Sequence, residues 1–315
     1  MTLGDGVRRN IATISPEERT MFKNALVTLN RRYYPGARND TPNVGGVSYW
    51  FKQDEIHQAT HVHVGPAFVP WHRELYNRFE ALLRGVNSKL SLHYWNWTQD
   101  PRAIPNAGFL NSFAPDFMGY GGSASASIGE PWLSAKYYVP SAGLHRDATG
   151  NPADPPNTVV RSVAGSLATI TQDNDIIKSS DFPTMRYKLE NVHNAMHGFV
   201  NMGGQHVSFR DPFVFLLHSN VDLLFALWQL QKGQQWRLDP NQIYGTEGNR
   251  VEITENMQPW AGGTGTRPWG APENQAIIKN CKHPTVVKPP AYDTNPVDLT
   301  VVVEQPADTA VNSAL

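Results

Sequence analysis

The chain has 315 residues, 40% of them hydrophobic, which is enough to bury a substantial core and sits near the upper size of one domain. Its 27 Lys and Arg nearly balance its 28 Asp and Glu, so no strong field draws it to nucleic acid or to an anionic membrane, and small neutral partners are expected. The single cysteine, Cys281, excludes intrachain disulfides and thiolate-rich metal clusters.

No run of about 18 apolar residues occurs, so no membrane-spanning segment is expected. Arg8 and Arg9 are followed by a polar stretch from Ile11 to Thr20 instead of an apolar export signal, and a cytoplasmic location is the expectation.

Ser15, Pro16, Glu17 and Glu18 form a helix start, with a cap, a proline at the first position and acids in the first turn. Phe22, Leu26 and Leu29 then recur at helical spacing, which predicts a helix over 16–32. A second is predicted over 47–60, with Tyr49, Trp50, Ile56 and His57 on its inner face. A third opens at Pro70 and carries His72, Leu75, Phe79 and Leu83 on one stripe until Gly85 closes it. The span 98–183 is rich in Gly, Pro, Ser and Asn and predicts long surface loops.

A fourth helix is expected from Met185 to His197, closed by Gly198, and a fifth from Asp211 and Pro212 to near Gly233. Leu299 to Val303 is a lone strand candidate. The expected fold is mainly α: a central antiparallel four-helix bundle with long surface loops and few short strands. Residues 1–262 would form the main domain, and 263–315 an extension packed on it or trailing from it.

The chemistry lies in the histidines. His193 and His197 are four apart on a predicted helix, so both rings can reach one ion. That spacing is weak by itself, and no Glu follows His193, which removes the zinc-protease pattern. His218, 21 residues on in an apolar helix, supplies a third imidazole, and Asp222 one turn later could fix its tautomer. The other group is His57, His61, His63 and His72, four of eleven histidines within sixteen residues. Sets of three imidazoles without a carboxylate suit copper or zinc. Two such sets suggest a dinuclear centre.

His63 and His72, nine apart around Phe68, Pro70 and Trp71, resemble the first copper-binding signature of tyrosinases, and Tyr94 to Trp97 are similar to that family too. His193, Asn194, His197 and Gly198, with Asp211, Pro212, Phe215, His218 and Asp222, resemble the second. The chain is therefore identified as resembling the type-3 copper superfamily of tyrosinases, catechol oxidases and o-aminophenol oxidases.

The resemblance implies two copper ions, the first on His63, His72 and an upstream histidine, the second on His193, His197 and His218. For the upstream ligand His57 is preferred to His61, because His61 and His63 would point to opposite sides of an extended backbone. The position before the last ligand, often a histidine in the family, is Leu217, and Cys281 is too far from the motifs for a thioether link to a ligand. The implied reaction is oxidation of o-diphenols or o-aminophenols by O2 to quinones or quinone imines. Ortho-hydroxylation of monophenols is a further expectation, with Asn194 and Glu190 orienting a water. Gly198 would keep the substrate pocket open, or simply cap its helix.

A phenolic or aminophenolic substrate and O2 are thus the expected partners, and a copper-delivery protein is the one macromolecular partner left open. The rivals are an oxygen carrier of the haemocyanin type, without turnover, and a dinuclear zinc hydrolase. The latter usually carries bridging carboxylates, which neither histidine motif contains.

Overall fold

The structure, a computed structural model, describes residues 3–32, 48–60, 62–102, 110–123, 126, 128, 131–132, 159, 161–164, 167, 172–202, 208–250, 253 and 288–294. Among these residues it has six α-helices and no strand, in agreement with a mainly α class. The strand candidate at 299–303, Cys281 and His61 lie outside the described residues, as does most of the expected 263–315 extension.

Helix α1 (Pro16–Arg31) begins as its sequence dictates: Ser15 Oγ accepts the Glu18 N–H at 3.0 Å, and Pro16 occupies the first turn, where its missing donor costs nothing. Its buried face, Phe22, Ala25, Leu26 and Leu29, lies against α3. Helix α2 (Phe51–Thr60) starts four residues later than the periodicity suggested, because Trp50 turns into the core and donates its indole N–H to the Phe209 carbonyl at 3.0 Å.

Helix α3 (Phe68–Val86) starts two residues before Pro70, which then sits in the first turn. Gly85 lies inside the helix and does not close it; Asn87, with extended backbone, is the stop. A short α4 (Asp173–Ile177) interrupts the span expected to be loop, nucleating on buried Ile176.

Helix α5 (Phe182–Val200) is capped by Asp181, whose Oδ1 accepts the Thr184 N–H at 2.8 Å. It runs past Gly198, so the expected glycine stop is replaced by Asn201 at φ 49°. Asparagine tolerates that left-handed conformation better than other non-glycine residues do. Helix α6 (Phe213–Gln229) is buried on all sides, which explains its lack of a polar stripe. It ends four residues before Gly233.

Helices α3, α5 and α6 pack on one another, and the rings of Phe79 and Phe215 stack at 3.6 Å where α3 meets α6. Two buried ion networks tie this assembly. Arg161 forks onto Asp211 (2.7 and 2.8 Å), and Asp211 Oδ1 in turn accepts the Phe213 N–H at the start of α6. Arg73 on α3 contacts Asp222 on α6, which also accepts from Arg8 Nη1 at 2.9 Å. The Tyr292 hydroxyl lies 2.9 Å from the same carboxylate. Residues 288–294 meet the N-terminal segment as a short parallel contact, with Arg8 N–H donating to the Ala291 carbonyl and Asp293 N–H to that of Arg8.

Candidate metal centre

Four helices deliver five of the six histidines, each for a local reason. On α5 the i,i+4 spacing stacks His193 above His197, and the close packing of α5 on α6 brings in His218. Their Nε2 atoms converge: 2.6 Å from His193 to His218, 2.9 Å from His197 to His193 and 3.0 Å from His197 to His218. His193 Nδ1 lies 2.9 Å from Asn194 Oδ1, an acceptor, so the ring proton belongs at Nδ1 and the lone pair at Nε2 faces inward. Lone pairs converging in this way repel one another unless a cation lies between them.

Protonation is not that cation. Burial, followed by the neighbouring imidazoles, holds His193 and His218 well below the ordinary histidine value, and burial followed by His72 lowers His197 to about 3. At neutral pH all three are neutral imidazoles, the form in which histidine binds metal.

The second group joins His57 from the last turns of α2, His63 from the loop after it, and His72 from one turn into α3. Their ring centroids are 5.0 to 5.4 Å apart. His72 Nδ1 donates to the Phe68 carbonyl at 2.6 Å, which leaves Nε2 for the site, and burial lowers its pKa to about 4. His57 is therefore the upstream histidine that the structure brings together with His63 and His72.

The groups face each other. Ring centroids are 6.1 Å apart for His63 and His193, 6.3 Å for His57 and His218, and 5.2 Å for His72 and His218. Within each group the donor atoms lie no more than 4.8 Å apart, and no further group of this kind occurs among the described residues. Six nitrogens and no carboxylate fit a pair of copper ions. They do not fit a carboxylate-bridged hydrolase.

Apolar rings dry the site. Phe209 packs 4.4 Å from His57 and 5.0 Å from His218, while Phe68 packs 4.8 Å from His72 and 5.0 Å from His193. Tyr76 lies 5.3 Å from His218, with its hydroxyl buried. Sequence reading missed Phe209: it stands outside any helical period, and only its place just before Asp211 and Pro212 hinted at it.

One expectation is corrected. Asp222 does not meet His218, whose Nδ1 has no partner among the described residues; the carboxylate turns to Arg8, Arg73 and Tyr292. Glu190 is buried, its Oε1 accepts the Val64 N–H at 2.6 Å, and Arg186 lies 3.6 Å from its Oε2. Burial raises its pKa. Asn194 and Gly198 are exposed, and a Cβ at Gly198 would meet nothing within 4 Å.

Comparison with known proteins agrees with this geometry. A family model described as the common central domain of tyrosinase matches residues 43–231. The tyrosinase of Streptomyces antibioticus is 31% identical over 275 residues, covering 81% of this chain and 92% of that protein. Hemocyanin 2 of Megathura crenulata is 26% identical over 313 residues, 96% of this chain but 8% of that much longer protein. Among solved structures, a functional unit of octopus hemocyanin superposes with a TM-score of 0.53 at 18% identity, covering 88% of this chain and 64% of that one. The polyphenol oxidase of Thermothelomyces thermophila gives a TM-score of 0.51 at 19% identity, covering 82% and 75%. Both share the fold.

Proposed function

Because this chain belongs to the tyrosinase family of type-3 copper proteins, we propose that it oxidises o-diphenols or o-aminophenols with O2 to o-quinones or quinone imines. The observation that carries the reading is the pair of facing, buried, carboxylate-free histidine groups. We assign the first copper to His57, His63 and His72 and the second to His193, His197 and His218. When bound, the copper pair supplies two-electron exchange with dioxygen; two diphenols, each losing two electrons and two protons, balance one O2 reduced to two waters.

The protein's own contribution is to hold six neutral imidazoles in register and to keep water out with Phe68 and Phe209. Exposed Val64, Asn194 and Gly198 beside the ligands support access for a substrate ring, which favours turnover over the sealed site of an oxygen carrier. Asn194 is the residue to orient a water at a phenol hydroxyl. Glu190, although made more basic by burial, already accepts the Val64 N–H, which supports reading diphenol oxidation ahead of monophenol hydroxylation.

The test is oxygen uptake and product formation by copper-loaded protein with a monophenol, catechol and o-aminophenol side by side. Turnover of the last two supports the reading. Reversible oxygen binding without product would replace it with the carrier.

A further inference from the structure

Five of the six histidines sit on helices: His57 on α2, His72 on α3, His193 and His197 on α5, and His218 on α6. His63 does not. It belongs to the loop between α2 and α3 and is only partly buried, so no helical backbone sets its direction, although its ring lies against those of His57, Phe68, His72 and His193.

The residue that follows it is backbone-strained. Val64 has φ 57°, one of two non-glycine residues with positive φ among those described, and its side chain is 85% exposed. A β-branched residue in this conformation is strained, and an exposed side chain returns nothing through packing. What opposes the strain is the 2.6 Å hydrogen bond from the Val64 N–H to Glu190 Oε1. Glu190 is itself anchored: it is buried on α5 one turn before His193, with its other oxygen 3.6 Å from Arg186. Arg186 forks onto Glu247 at 2.7 and 3.1 Å.

We propose that Glu190 is a positioning residue: its carboxylate holds Val64 in the left-handed turn and thereby sets His63 toward the first copper. The helix that carries two ligands of one ion thus also fixes the loop ligand of the other. The inference rests on the dicopper reading and deepens it, because it gives Glu190 a task other than proton transfer.

The test is copper titration of the full-length apo-protein, followed by metal content and thermal melting. Wild type should bind two coppers per chain; failure to do so overturns the dicopper reading and this proposal with it. Glu190→Leu fills similar space without an acceptor and should weaken one of the two coppers about 10- to 100-fold, the usual effect of losing a group that orients a ligand. Glu190→Gln keeps an acceptor oxygen and should retain both ions.

The decisive variant is the double change E190L/V64G. Glycine adopts the left-handed turn without strain, so the first copper, the one weakened in E190L, should regain at least part of its affinity, a coupling that independent sites would not show. Two coppers bound by E190L at wild-type affinity, or no recovery in the double variant, would overturn the proposal. So would E190Q binding both ions yet turning over no catechol, because that pattern belongs to a general base.

Discussion

At the scale of single residues, the site depends on imidazoles that burial keeps neutral. The pKa of His72 is lowered to about 4 and that of His197 to about 3, against an ordinary value near 6.5. Below pH 6.5 the unfolded chain takes up protons that the folded one refuses, so folding stability falls with falling pH until the folded pKa values are reached. The melting temperature of the apo-protein should therefore decline steadily from pH 6.5 to about 4, and a flat profile across that window, read by calorimetry, would contradict the buried neutral state. The residues themselves were largely legible, since His63, His72, His193, His197 and His218 sit in spaced motifs. The choice of His57 rested on backbone alternation alone; the structure places His57 beside His63 and His72, while His61 lies outside the described residues. Asp222 was misread because its partners, Arg8 and Tyr292, lie 214 and 70 residues away, beyond any local pattern.

At the scale of elements, sequence reading succeeded where capping chemistry is local, as at Ser15 and Pro16. It failed where the tertiary structure chose between two stops. Gly198 is a plausible helix end by composition, yet α5 gains two more buried residues, Phe199 and Val200, before Asn201 takes the left-handed position. Asn201 also donates its side-chain amide to Ser162 Oγ at 2.7 Å. Asn201→Val should destabilise the protein by about 1–2 kcal/mol through backbone strain. Asn201→Gly should cost less, since it loses only the side-chain hydrogen bond. Chemical denaturation of the two variants gives the comparison, and equal losses would mean that the conformation at Asn201 is not what ends the helix. Helix α4 escaped notice because five residues are too few to show a period.

At the scale of the whole molecule, the network of Arg8, Arg73, Asp222 and Tyr292 joins the first segment of the chain, two ligand-bearing helices and residues 288–294. Asp222→Asn would leave buried Arg73 short of its counter-charge, whereas Arg8 keeps Glu80 at 2.7 Å, and should cost about 3–5 kcal/mol. Tyr292→Phe removes a hydroxyl from the same cluster and should cost about 1–3 kcal/mol. Melting of both variants checks the order; a Tyr292→Phe loss as large as that of Asp222→Asn would refute it. This long-range organisation left no trace in the sequence, because charge pairs are invisible until the fold has chosen them.

The contact between Arg8 and Tyr292 also bears on how the protein matures. A ribosome completes all six ligands by residue 218, yet Asp222 has to wait 70 more residues for the hydroxyl that finishes its surroundings. A nascent chain can therefore display a full set of histidines before their buried scaffold is closed, and metal uptake by the finished cage belongs after synthesis has passed Tyr292.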